Sequence, residues 1–175
     1  SATEEKAFIP STKSFAIAED ELGKMVYYNH SQEMLYVLAA GSLYQVDLEA
    51  DKQKVLADGL EEGQYAVSDD GHLMAYQTDG TLYTASEIKV MNLQNGDEFT
   101  IEAPEGQAVR PLGFVNSDFI YGKINPADAG VSASGEEITP MYELEIRSAE
   151  NKVVTSYSFT DNNIYTTDIL VEDNL

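Results

Sequence analysis

The feature that most constrains the fold of this chain is an internal repeat. Three segments share the same succession of an apolar strand, a polar turn and a second strand with a tyrosine, and these tyrosines are Tyr36, Tyr76 and Tyr121. They are separated by 40 and then 45 residues. A single copy of this length cannot bury its own apolar face, so the copies must stack. We predict that the three tyrosines share one structural position and pack between the copies.

The pattern within each copy predicts strands rather than helices. Apolar and polar residues alternate over short runs, and the runs are separated by turns rich in Asp, Asn, Gly and Ser. The predicted strands are residues 24–28, 34–38, 43–48, 54–57, 73–77, 88–93 and 98–101. Their spacing is typical of a meander with tight hairpins, so the sequence predicts an all-β chain.

Four antiparallel strands in each repeat of roughly 40 to 50 residues indicate the blades of a β-propeller. We interpret residues 1–175 as one partial propeller domain. The predicted blades are residues 24–60, 61–104 and 105–160, and residues 161–175 are interpreted as the start of a further blade. Since rings close with about four to eight blades, three blades predict an incomplete ring.

An incomplete ring leaves open sheet edges. Residues 12–23 fit the outer strand of a preceding blade, and the chain stops before the further blade is complete. Unpaired edge strands offer free backbone N–H and C=O groups to any strand that reaches them. We therefore expect dimerisation or strand exchange, unless a longer parent protein completes the ring.

One repeat resembles a known family. Residues 67–76, VSDDGHLMAY, are similar to the FSPDGKxIAY signature of TolB-like and dipeptidyl-peptidase-type propeller repeats. Residues 29–36 and 115–121 are degenerate copies that lack the glycine. The resemblance extends over most of residues 24–175 and implies a propeller fold.

The chain also resembles uncharacterised secreted or lipid-anchored propeller proteins of Gram-positive bacteria. In those proteins a stretch like residues 119–122, FIYG, precedes a loop that ends like residues 140–142, PMY. This resemblance implies an extracytoplasmic location, at the cell surface or secreted, and a propeller longer than this chain. It implies no activity.

Charge restricts the partners of the chain. It contains 10 Lys and Arg against 31 Asp and Glu, for a formal net charge of −21. Such a surface repels nucleic acid and anionic lipid. We interpret the charge as a solvated surface that resists aggregation rather than as a ligand signal. No apolar stretch is long enough to span a bilayer, and the N-terminus lacks a signal core, so we expect any leader or anchor to have been removed.

The sequence contains no recognisable set of catalytic residues. The absence of Cys excludes disulfides, Cys-ligated zinc and thiol catalysis. The serine-rich residues 130–135 do not match the G-x-S-x-G elbow, and the only imidazoles, His30 and His72, fall in or beside predicted turns. We assign no catalytic, cofactor-binding or metal-binding residue and expect no cofactor.

The stretch Ser68, Asp69, Asp70 and Gly71 has three interpretations. A calcium loop needs later oxygen ligands that are missing, and the Asp-box of sialidase-type propellers needs a Trp that is also missing. The third is a hairpin turn in which Asp69 or Asp70 caps the backbone and Gly71 takes a positive φ. We predict the hairpin turn.

The longest departure from the repeat is an insertion at residues 125–140, which its small polar residues predict to be a mobile surface loop. Two interpretations remain open, a binding lid and a tolerated insertion. As a lid it would present a binding set of Asp128, Ser132, Ser134, Glu136 and Glu137.

These observations favour a non-enzymatic binding or scaffolding module with a protein or carbohydrate partner. The alternative is an accessory propeller of a larger hydrolase or peptidase whose catalytic domain lies outside this chain. A glycosidase-like propeller is a third interpretation, because some of the 31 acidic residues will lie at a suitable separation by chance. The sequence identifies no such pair.

Overall fold

The structure is a computed structural model that describes residues 25–131 and 133–159. These residues form three four-stranded antiparallel sheets and one two-stranded hairpin, and this part of the chain contains no α-helix. The predictions of an all-β chain and of four-stranded antiparallel units are therefore confirmed. The sheets do not close into a ring within the described residues, and the predicted strands at 12–23 and 161–175 lie outside them.

Each sheet is a meander of strands in chain order. Sheet 1 contains β1 (Met25–Asn29), β2 (Met34–Ala39), β3 (Ser42–Asp47) and β4 (Lys52–Ala57). Sheet 2 contains β5 (Tyr65–Val67), β6 (Leu73–Gln77), β7 (Glu87–Asn92) and β8 (Glu98–Glu102). Sheet 3 contains β9 (Ala108–Val115), β10 (Asp118–Ile124), β13 (Met141–Arg147) and β14 (Val153–Ser158).

The insertion between β10 and β13 has structure of its own. A 3₁₀ turn at Pro126–Asp128 is capped by the Asn125 side chain, which accepts from the N–H of Ala127. It is followed by the short strands β11 (Gly130–Val131) and β12 (Glu137–Ile138), which pair with each other and with no other strand of the described residues.

Apolar side chains fill the space between successive sheets. The buried cluster between sheets 1 and 2 consists of Tyr36, Leu38, Leu43, Leu60, Met74, Tyr76, Met91 and Leu93. The buried cluster between sheets 2 and 3 consists of Ala75, Ile88, Val90, Ile101, Val109, Phe119 and Tyr121. Side chains of β6 alternate between the two clusters, as expected for a central strand that is covered on both faces.

The repeat tyrosines are buried, but they do not share one position. Tyr36, Tyr76 and Tyr121 are 2%, 3% and 1% exposed, so the prediction that they pack between sheets is confirmed. Tyr36 faces the following sheet, whereas Tyr76 and Tyr121 face the preceding one. The predicted equivalence is wrong for Tyr36, because a shift of one residue along a strand turns a side chain to the opposite face.

Two buried amides join neighbouring sheets. The Asn29 side chain at the end of β1 donates to the carbonyl oxygens of Leu93 (3.0 Å) and Gln94 (2.7 Å) beyond β7. The Gln77 side chain at the end of β6 donates to the carbonyl of Val109 on β9 (2.9 Å). Such bonds satisfy backbone groups that would otherwise be orphaned where sheets meet.

The described residues contain no helix with the length and apolar character needed to cross a membrane.

Candidate binding cleft between the second and third sheets

A cleft of about 480 Å³ lies between sheets 2 and 3, and we call it the sheet 2–3 cleft. It lies where the turns β7–β8, β9–β10 and β13–β14 approach one another. Its floor is apolar and is formed by Leu73, Val90, Phe99, Phe114 and Phe119. Its rim is mostly polar and is formed by Asn92, Asn95, Asp97, Glu98, Ser117, Ser148, Ala149, Glu150 and Asn151. An apolar floor below a polar rim is the usual architecture of a ligand site.

The floor is held in place by aromatic packing. Phe119 is buried, with its ring 5.8 Å from the ring of Tyr121 in a stacked arrangement and 5.1 Å from that of Phe114. Phe99 and Phe114 are only half-buried and present part of their surface to the cleft. The floor can therefore contact the aliphatic part of a ligand without rearrangement.

The rim owes its shape to local side chain to backbone bonds. The Asn92 Oδ1 accepts from the N–H groups of Gln94 (2.9 Å) and Asn95 (3.3 Å), and the Asn95 Oδ1 accepts from the N–H of Asp97 (2.8 Å). Gly96 completes the turn with a φ of 83°. These contacts are typical of Asx turns and hold Asp97 at the mouth of the cleft.

The rim carboxylates give the cleft a negative character. Glu98 lies 3.6 Å from the ammonium group of Lys89. Asp97 and Glu150 are exposed, and neither carboxylate has a hydrogen-bond or ion-pair partner among the described residues. With a partly open, apolar floor beneath them, two unpaired carboxylates favour a ligand that combines a positive charge with an aliphatic stem.

A charged cluster on sheet 3 contacts the rim of the cleft through Arg147. It consists of Lys123, Glu143, Glu145 and Arg147, and we call it the β10–β13 charge cluster. The Lys123 ammonium lies 2.6 Å from Glu143 and 3.2 Å from Glu145. The Arg147 Nε donates to Glu145 (2.6 Å), and the Tyr121 hydroxyl donates to the same carboxylate oxygen (2.6 Å). Arg147 also donates to Asn151 on the rim (2.8 Å), so the cluster helps to position the β13–β14 turn.

The pKa values of the cluster reflect these contacts. Burial alone would raise the pKa of Glu145, but the hydrogen bonds from Tyr121 and Arg147 and the nearby positive charges hold it below its usual value. Burial and the bond to Glu145 raise the pKa of the Tyr121 phenol. Burial opposes the charge on Lys123, yet the bonds to Glu143 and Glu145 outweigh it and raise its pKa. Glu145 and Lys123 are thus held in their ionised forms near neutral pH.

The residues predicted for the insertion do not line this cleft. Asp128 lies in the 3₁₀ turn, and Ser134, Glu136 and Glu137 lie on the β11–β12 hairpin; all four are exposed. Ser132 lies outside the described residues. The insertion is therefore a surface segment, as predicted, while its use as a binding lid stays a prediction.

The turn around Asp70 is a hairpin turn, as predicted. Gly71 has a φ of 79°, and the Asp70 carboxylate accepts from the N–H of His72 (3.2 Å) and from the Ser68 hydroxyl (2.8 Å). The hydrogen bond from the His72 side chain is the main reason that the pKa of Asp70 falls to about 2. His30 is exposed, its ring edge-on to Tyr28. Within the described ranges, no three His, Asp or Glu residues form a group that could hold a metal ion.

The cleft was not predicted from the sequence. Its rim comes from three turns of two different repeats, and each turn taken alone looks like an ordinary hairpin connection. The rim residues form two short runs, 92–98 and 148–151, with Ser117 apart from both, and residues of these types are common in turns that bind nothing.

The fold and the cleft define this chain as an all-β protein of stacked four-stranded sheets with an acidic, apolar-floored cleft between two of them. Neither the protein-family models nor the curated proteins compared with the chain contain a match to it.

Proposed function

We propose that this chain is a non-enzymatic binding module of the β-propeller type that acts outside the cytoplasm. The observation on which the proposal rests is the sheet 2–3 cleft, with its apolar floor and its two unpaired carboxylates, Asp97 and Glu150. The succession of four-stranded meanders and the similarity of residues 67–76 to TolB-like repeats support the propeller class. The resemblance of residues 119–122 and 140–142 to secreted or lipid-anchored propeller proteins supports the extracytoplasmic location.

The proposed ligand is a Lys or Arg side chain of a protein partner. The aliphatic stem of such a side chain contacts Phe99 and Phe114, while its charged end lies between Asp97 and Glu150. The net charge of −21 assists the approach of a basic partner over longer distances. In this proposal the acidic surface attracts the partner. The sequence alone indicated only a solvated surface that resists aggregation.

The test is binding of the purified chain to an array of hexapeptides in which Lys or Arg occupies each position in turn, beside an array of oligosaccharides. We expect binding to basic peptides, and a loss of affinity of at least about tenfold in the variant Asp97→Asn with Glu150→Gln, since a charge-assisted bond is worth about 1.5–3 kcal/mol. Binding to oligosaccharides alone, or to neither array, contradicts the proposal.

Two further variants show whether the cleft or the general charge is responsible. Glu49→Gln with Glu102→Gln removes two exposed charges outside the cleft and should leave the affinity nearly unchanged at about 150 mM salt, where distant surface charges are screened. Asp128→Asn with Glu137→Gln removes two charges from the insertion. If the insertion variant loses binding while the cleft variant keeps it, the insertion is the binding site.

A second candidate function is that of an accessory propeller in a larger hydrolase or peptidase. It is favoured by the β11–β12 hairpin, on which Val131 and Ile138 are 70% and 45% exposed. Exposed apolar side chains on a projecting hairpin suit contact with a neighbouring domain. The sequence of the parent gene tests this directly, because a hydrolase domain with a G-x-S-x-G elbow supports it and a gene without any further domain contradicts it.

A further inference from the structure

The outer edge strands of the three sheets differ in their charge. The strand β4 carries Lys52 and Lys54, and β8 carries Glu98 and Glu102. The strand β14 has the sequence VVTSYS and carries no charge. Charged side chains on an edge strand discourage pairing with other chains, whereas an uncharged strand rich in β-branched and aromatic residues permits it.

The backbone of β14 offers hydrogen-bonding groups on its outer side. It forms the edge of sheet 3 and pairs only with β13 within the described residues. The N–H of Phe159 donates to the carbonyl of Tyr142, and the register continues with Tyr157 opposite Leu144. Since alternate residues of an edge strand point their backbone groups outward, those of Ser156 and Ser158 face away from β13. Val153 and Val154 are 56% and 54% exposed beside them.

The net charge around β14 is closer to zero than the net charge of the whole chain suggests. On the adjoining strand, Glu143 is paired with Lys123 and Glu145 with both Lys123 and Arg147. The charges on the adjoining strand β13 are thus compensated within the β10–β13 charge cluster, although the whole chain has a net charge of −21. A second acidic copy can approach this edge with little local repulsion.

We propose that β14 is the site at which two copies of this chain associate, by antiparallel pairing of one β14 with the other across a two-fold axis. In such a pair each strand faces a copy of itself, so like charges on the strand would repel each other. The VVTSYS strand carries no charge and avoids this repulsion. A contact through one strand pair buries less surface than the roughly 1,200–2,000 Å² that stable protein complexes bury. The dimer is therefore reversible, with a Kd on the order of 10–100 µM.

Sedimentation equilibrium of the full chain at several protein and salt concentrations tests this proposal. The expected result is a monomer–dimer equilibrium that tightens several-fold between about 50 mM and 500 mM NaCl, because salt screens the repulsion between two acidic chains. A chain that stays monomeric up to about 1 mM protein, or a dimer that weakens with salt, overturns it.

Two variants and one control locate the contact. Val154→Lys places a charge on the β14 edge, and Ser156→Pro removes an outward N–H without removing a bond to β13; each should weaken dimerisation at least about tenfold. The control is Val55→Lys on β4, whose side chain is 51% exposed on an edge that already carries two lysines. It should dimerise like the parent chain. Thermal melts show whether each variant is folded, and a dimer that survives both β14 changes overturns the proposal.

Discussion

At the scale of single residues, Glu145 shows how a charge is retained inside this fold. Its side chain is buried, and it accepts bonds from Tyr121 and Arg147 and pairs with Lys123. The substitution Glu145→Gln keeps the shape of the side chain but replaces its carboxylate with a neutral amide, so Arg147 loses its ion-pair partner. We expect a loss of about 2 kcal/mol in the free energy of unfolding near neutral pH, measured by urea denaturation.

The pH dependence of this loss follows from the lowered pKa of Glu145. A carboxylate with a lowered pKa in the folded state stabilises the protein above its unfolded pKa, and that contribution disappears as the pH falls through the folded pKa. The difference in the free energy of unfolding between the parent chain and Glu145→Gln should therefore become smaller below about pH 4. An equal gap at pH 3 and pH 7 contradicts this account. Glu49→Gln, at an exposed position, should change stability by less than about 0.5 kcal/mol.

At the scale of the element, the β2–β3 hairpin depends on the contact that its turn makes with Leu60, in the connection between β4 and β5. Gly41 has a φ of +80°, and a Cβ added there would lie 2.6 Å from the carbonyl oxygen of Leu60. The N–H of Leu60 in turn donates to the carbonyl of Gly41 (2.8 Å). Gly41→Ala should cost more than about 2 kcal/mol of stability, from the positive φ and from the displaced backbone.

A matched control separates these two causes. Gly59 also has a positive φ, +67°, but a Cβ added there meets no atom within 4 Å. Gly59→Ala should therefore cost only the conformational strain of about 1 kcal/mol. Chemical denaturation of both variants measures the difference, and equal losses would show that the approach of Leu60 has no energetic consequence.

At the scale of the whole molecule, the net charge of −21 opposes the compact state. Most of the Asp and Glu side chains in the described residues are exposed, and added salt screens the repulsion between them. We expect the Tm to rise by about 2–4 °C between about 20 mM and 500 mM NaCl, which corresponds to roughly 1 kcal/mol. Calorimetry at low protein concentration keeps dimerisation out of this measurement. A falling Tm would mean that local pairs such as those of the β10–β13 charge cluster outweigh the general repulsion.

The all-β class, the four-stranded units and the hairpin turn at Gly71 were predictable from the sequence alone. Strand alternation and turn chemistry act over a few residues, so residues 67–76 specify their own turn whatever lies beyond them.

Only the tertiary structure decided which faces of the sheets meet. Tyr36 and Tyr76 occupy similar places in the sequence repeat, yet Tyr36 faces sheet 2 and Tyr76 faces sheet 1. A shift of one residue along a strand turns a side chain to the opposite face of the sheet. The sheet 2–3 cleft exists only where turns of two repeats come together. The contacts that Tyr121 and Lys123 make with Glu145, which help to lower its pKa, exist because β10 lies beside β13. The sequence by itself determined the repeated β-units, through local interactions. The spatial relation of those units, and hence the cleft and the charge cluster, was decided by packing between them.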